Sequence, residues 1–166
     1  MTKQLPPAGF QPTRRDQRLL ETAMDSYKTK GKLPEPTVCP DCGAVFHAGR
    51  WQWLDKPKDA HQTSCPACHR VRDHFPAGYV TLAGEFFATH EKEILHLMQN
   101  RETQEKANHP LQRIMDIEKT DHGTVVTTTD IHLARGLGEA LHHAYQGELE
   151  LHYNPEQNLL RVSWSR

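Results

Sequence analysis

The sequence predicts an α+β chain: a small cysteine-organised module, a linking helix, and then a ββαββ module. Three observations predict it. The 4 cysteines of the 166 residues fall as Cys39-Pro40-Asp41-Cys42-Gly43 and Cys65-Pro66-Ala67-Cys68, two C-x-x-C pairs 22 residues apart. Between residues 111 and 166, two strand-like runs, a helix with apolar residues at helical spacing and two alternating runs follow in that order. Hydrophobic residues make up 36% of the chain and the mean hydropathy is −0.75, so the cores are thin and a metal would supplement them.

Residues 1–37 carry five prolines, Pro6, Pro7, Pro12, Pro34 and Pro36, around one short helical possibility from Asp16 to Tyr27. An extended tail that docks locally is expected. Its cations come as Arg14, Arg15 and Arg18 and then as Lys28, Lys30 and Lys32. Such clusters suit contact with phosphates, and equally suit a solvated tail.

Residues 38–75 form the metal module. A C-x-x-C turn lets two sulfurs reach one ion, and Gly43 can take the left-handed conformation that points backbone N–H groups at the thiolates. Two such turns complete a tetrahedron around Zn2+ held by Cys39, Cys42, Cys65 and Cys68, in a zinc-ribbon or treble-clef-like module. A closed tetrahedron leaves no position for water, so the site is expected to be structural. The rival reading, disulfides or redox dithiols, lacks a βαβ context and a secretory leader. Val45-Phe46-His47 and Trp51-Gln52-Trp53-Leu54 read as a hairpin with Gly49 in its turn. The two tryptophans either roof the metal or offer a stacking surface for bases. Arg70 and Arg72 follow the second cysteine pair, placed either to grip a phosphate or to offset the −2 charge of a four-thiolate centre.

Residues 76–110 read as a helical linker. After Pro76-Ala77-Gly78, a helix from about Gly84 to Ala107 sets Phe87, Ile94, Leu97 and Met98 near one face, and Asn108-His109-Pro110 closes it. In residues 111–166, Arg113 to Lys119 and Thr124 to Thr129 flank a turn ending in Gly123. Asp130 caps a helix with Leu133, Leu137, Ala140, Leu141 and Ala144 on one side, and Gly147 stops it. Leu149, Leu151 and Tyr153, then Leu160, Val162 and Trp164, alternate with polar residues. The expectation is one helix on a four-stranded, mainly antiparallel sheet with its own core.

Charge divides the chain. Residues 1–75 hold 12 Lys/Arg and 8 Asp/Glu, against 8 and 13 in residues 76–166, so polyanion binding belongs in the first half. No run approaches the length of a membrane span, and Met1 to Pro7 has no apolar stretch, so no membrane partner and a cytoplasmic location are expected. No phosphate-binding Gly loop, nucleophile elbow or H-E-x-x-H motif is present, which argues against an enzyme. The one polar face that invites chemistry holds His132, Arg135, Glu139, His142 and His143 on the last helix, a second metal site or a solvated face.

Lys32-Leu33-Pro34-Glu35-Pro36-Thr37-Val38-Cys39-Pro40 through Cys42-Gly43-Ala44-Val45-Phe46, followed by Gly49-Arg50-Trp51-Gln52-Trp53, resembles a family of small, largely uncharacterised bacterial zinc-binding proteins. With Val125 to Ala134 and the helix to Ala144, the paired cysteine turns are also similar to the amino-terminal part of the large-ribosomal-subunit export adaptor of the nonsense-mediated-decay-three type. That adaptor's later barrel-like domains have no counterpart here, and bacteria have no nuclear export. The resemblance therefore implies the zinc ligands and contact with the ribosome, its RNA or its proteins, but not export. The expected function is a non-catalytic zinc protein binding the ribosome or ribosomal RNA as a stress or inactive-state factor. A protein-interaction adaptor using the acidic ββαββ module is the alternative, and a metal-dependent enzyme on the histidine-rich face is a third.

Overall fold

The computed structural model describes residues 7–19, 27–28 and 31–166. In chain order the elements are β1 (Gln11–Thr13), β2 (Thr37–Val38), β3 (Val45–His47), β4 (Arg50–Gln52), β5 (His61–Gln62) and α1 (Pro66–Asp73), followed by β6 (Gly78–Ala83), α2 (Glu85–Thr89), α3 (Glu91–Asn108), β7 (Ile114–Thr120), β8 (Gly123–Thr128), α4 (Ile131–Tyr145), β9 (Glu148–Asn154) and β10 (Leu159–Ser165). Two sheets result, a small one ordered β4-β3-β2-β5 and a six-stranded one ordered β1-β9-β10-β6-β8-β7.

The small sheet is built on the expected hairpin. Ala48 and Gly49 both have positive φ, 52° and 77°, as a two-residue turn matching strand twist requires. The Glu35 carboxylate accepts from both of their N–H groups, at 3.2 and 2.9 Å, which fixes the turn from outside the hairpin. Strand β2 pairs antiparallel with β3 and parallel with β5.

The large sheet contains the two hairpins read from the sequence, but they do not touch. Strand β6 lies between them, antiparallel to β8 and parallel to β10. Residues 76–110 are therefore not only a helical linker, since they supply a central strand, and the sheet has six strands where four were expected. The side-chain alternation of β6 explains its place: Gly78, Val80 and Leu82 are buried, while Tyr79, Thr81 and Ala83 are half-buried on the other face. Helix and sheet approach closely at Gly78, where a Cβ would lie 2.5 Å from both Ala134 Cβ and Thr128 Oγ1.

Helix α4 crosses this centre. Asp130 caps it, accepting from the N–H groups of His132 (2.8 Å) and Leu133 (3.1 Å). Its buried face, Ile131, Leu133, Ala134, Leu137, Gly138 and Leu141, packs with Val80, Leu82, Val126, Leu160, Val162 and Trp164. The single helix expected from Gly84 to Ala107 is instead two, α2 and α3, meeting at His90. That residue has φ −114° and ψ 21°, and its imidazole Nδ1 lies 2.9 Å from the Phe86 carbonyl while its ring stacks on Phe86. Only Ile94 and Met98 of α3 are buried, so the helix is solvated around most of its surface.

The first segment docks, but on distant elements and not locally as expected. Strand β1 adds to the sheet edge beside β9, and Leu19 enters the core. The Arg135 guanidinium donates to the carbonyls of Arg15 and Gln17, clamping this segment to α4. The helix read from Asp16 to Tyr27 lies largely outside the described residues, and residues 16 to 19 are not helical.

Candidate metal centre

Four sulfurs converge where the small sheet meets α1. In the first turn the Cys39 N–H donates to the Ala44 carbonyl (2.8 Å) and the Gly43 N–H returns to the Cys39 carbonyl (2.9 Å), with Gly43 at φ 82°. In the second, Cys65 is the N-cap of α1 with Pro66 following, so Cys68 sits in the first helical turn. Backbone N–H groups point at sulfur: Cys65 N–H at Cys39 Sγ (3.2 Å) and Cys68 N–H at Cys65 Sγ (3.4 Å). The start of α1 adds its own positive end.

The four Sγ atoms all lie within 4.8 Å of one another, with 3.8 Å between those of Cys42 and Cys65, and none is in a disulfide. A tetrahedron with metal–sulfur bonds of about 2.3 Å has edges of about 3.8 Å. The donor set and spacing fit one metal ion. Cys39 and Cys65 are fully buried and Cys42 and Cys68 half-buried. Burial pushes the Cys39 thiol up, but the N–H groups of Cys65, Cys42 and Asp41 outweigh it and bring its pKa down to about 7. For Cys65 and Cys68 burial prevails and the thiols sit above their ordinary value.

The residue completing the site comes from the other half of the chain. Arg113 donates from Nη1 to Cys68 Sγ (3.2 Å) and from Nη2 to Cys42 Sγ (3.1 Å) and Cys65 Sγ (3.5 Å). Its Nε donates to the Pro110 carbonyl at 2.8 Å, so all three guanidinium nitrogens are used. Its backbone is pinned to Thr129 through two bonds of 2.9 Å. Burial alone would lower its pKa, and the bonds to Cys68 and Cys42 raise it instead.

Arg70 and Arg72, the two cations expected beside the thiolates or facing a phosphate, do neither simple thing. Arg70 is only 3% exposed. It donates to the Phe75 carbonyl (3.0 Å) and sits over the Tyr27 ring, 4.4 Å from its centroid, so it is a structural contact and not a surface cation. Arg72 pairs with Asp41 at 2.8 Å and reaches Ser64 at 3.1 Å, tying α1 to the first cysteine turn. Arg14, Arg15, Arg18, Lys28 and Lys32 are exposed, Arg14 being paired with Asp16, and Lys30 lies outside the described residues.

The two tryptophans differ in burial. Trp51 packs on the cysteine cluster and edge-on against Phe46, whereas Trp53 is 38% exposed with its Nε1 donating to the Lys106 carbonyl at 2.7 Å. Arg50, Leu54, Lys56 and Lys58, near it along the chain, are exposed, and the three cations were absent from the sequence-based candidates. The signal was available as Trp51 and Trp53 lying between Arg50 and the pair Lys56 and Lys58, with Asp55 among them.

On α4 the histidine-rich face does not assemble. Arg135 holds Glu139 at 3.0 Å, and among the described residues the four cysteines are the one group of three or more metal-ligating side chains close enough to share an ion. Ala140 and Ala144, expected to face the core, instead line a groove of about 660 Å³ between α3 and α4 with Leu97, Arg101, Gly136 and His143. Among the described residues, no helix is long and apolar enough to cross a membrane. No family model, curated protein or solved structure matches the chain.

Proposed function

We propose that the chain is a non-catalytic protein holding one Zn2+ in a treble-clef-like four-thiolate module, and that this module binds the ribosome or ribosomal RNA as a stress or inactive-state factor. Four-sulfur tetrahedral sites suit zinc or iron. Zinc is preferred because the surrounding sequence resembles zinc-binding proteins. The four sulfurs and Arg113 enclose the centre, so it organises the backbone and offers no position for a substrate.

The observation that carries the RNA reading is the loop projecting from the metal-fixed hairpin. There Trp53 is 38% and Leu54 45% exposed, between the exposed cations Arg50, Lys56 and Lys58. A half-exposed indole with three exposed cations within five residues along the chain, interspersed with the exposed Asp55 and Asp59, suits contact with unpaired bases and phosphates, base stacking contributing about 1–3 kcal/mol per base. The exposed cations Arg14, Arg15, Arg18, Lys28 and Lys32 extend the basic character into the first segment. The acidic second half repels phosphate and confines contact to this end.

Replacing Arg50, Lys56 and Lys58 together by Gln is expected to weaken binding to ribosomal RNA. The dependence of affinity on salt should flatten by about 0.7–0.9 logarithmic units for each phosphate that is no longer neutralised. Metal content stays unchanged. Arg70→Gln, by contrast, lowers stability without a matching change in salt slope. Unaltered affinity and slope in the triple variant would contradict the RNA reading.

The groove between α3 and α4 favours a second reading, a protein-interaction adaptor engaged through the sheet module. Its complex would be insensitive to salt, which separates it from the first.

A further inference from the structure

We infer that Arg113 is the residue that retains the metal, a positioning group that lowers the charge of the four-thiolate centre and locks it to the large sheet. The inference rests on the cysteines holding a metal ion, and not on what the loaded chain binds. Its basis is the fork Arg113 makes over three of the four sulfurs, at 3.1 to 3.5 Å.

Four thiolates around a divalent cation carry a net charge of −2, and burying that charge is costly unless it is compensated. Arg70 and Arg72 are adjacent in sequence but engaged elsewhere. Arg113 supplies the compensation from 45 residues beyond Cys68. Charged N–H donors to thiolate withdraw electron density from sulfur, which makes each sulfur a poorer target for protons and for competing electrophiles. Arginine is suited to this because it keeps its proton and presents its donors in a rigid plane.

The attachment of Arg113 is equally directed. Its N–H donates to Thr129 Oγ1, and its carbonyl accepts from the Thr129 N–H, one residue before Asp130, the cap of α4. Leu111 packs on the cysteine cluster beside it. The guanidinium is thus held by the sheet and aimed at the sulfurs, so metal retention depends on the sheet being folded behind it.

The test compares the intact chain with Arg113→Met and Arg113→Lys, each loaded with zinc and mixed with a chromophoric chelator. Removing an outer hydrogen-bond partner of a metal ligand characteristically weakens binding by about 10–100-fold. Arg113→Met is accordingly expected to release zinc at least about 10-fold faster than the native chain. Arg113→Lys, which keeps the charge but not the fork, should fall between them. Cobalt loading supplies a readout that mere loosening of the fold would not move. Loss of N–H donors raises the energy of the sulfur lone pairs, so the thiolate-to-cobalt absorption of Arg113→Met should shift to longer wavelength at unchanged stoichiometry. If Arg113→Met fails to fold, the native and lysine proteins decide by the same two readouts. Equal release rates with superimposable cobalt spectra would overturn the role of Arg113 while leaving the metal site standing. A native chain that takes up neither metal would overturn both.

Discussion

A fragment of residues 108–166, containing both hairpins and α4, is expected not to fold, whereas 76–166 forms a stable sheet. The reason is the position of β6. Val80 is fully buried and lies opposite Val126 on one side and Val162 on the other, so removing its strand leaves two hairpins with unpaired edges beneath one helix. An isolated hairpin is marginal in water. Val80→Asp in the whole chain should act as severely, because an unpaired carboxylate there costs on the order of 5 kcal/mol, comparable to the total stability of a small domain. Circular dichroism and amide dispersion in the nuclear magnetic resonance spectrum read both results. A folded 108–166 fragment would mean that the hairpins pair directly when β6 is absent.

Stripping the metal with a chelator, or replacing Cys39 by Ser, should unfold residues 37–75 and leave the large sheet standing. The module's buried apolar side chains are Val38, Cys39, Ala44, Val45, Cys65 and Ala67, with Trp51 and Leu111 packed partly against the cysteines. Burying so few small side chains cannot offset an ordering cost of about 1–2 kcal/mol per residue, whereas a structural zinc ion contributes about 10–16 kcal/mol. Near-ultraviolet dichroism from Trp51 and Trp53 should collapse while that of Trp164, buried in the sheet, persists. A module that keeps its tryptophan signal after complete metal removal would show that packing alone holds it.

How much of this was legible in the sequence depended on whether the determinant was local. Cysteine spacing, the Ala48-Gly49 turn, the Asp130 cap and the alternation of β9 and β10 each act within a few residues, and each is read directly. Strand β6 was missed because it begins at Gly78 of Pro76-Ala77-Gly78, which reads as a break, and because a strand between two others shows its worth only through partners at residues 124–128 and 160–165. The break falls at His90, whose imidazole lies against the Phe86 carbonyl, a contact that periodicity does not register.

At the metal site the ligands were legible and their partner was not. Proximity in sequence drew attention to Arg70 and Arg72, but α1 turns Arg70 inward with Ala67, three residues earlier on the same face. Arg113 reaches sulfur only because β7 pairs with β8 and so places it beside Thr129. The docking of the first segment on Arg135 was hidden for the same reason: both partners are ordinary polar residues until the fold brings them together.

The most direct test of a metal-organised, RNA-binding module is sedimentation of the zinc-loaded and chelator-stripped chains with purified ribosomal subunits over a series of salt concentrations. The loaded chain should pellet with the subunits at low salt and leave them steeply as salt rises, since each phosphate neutralised releases a counterion, while the stripped chain stays in solution. A loaded chain that fails to pellet at low salt, or a stripped chain that binds equally well, would contradict the account.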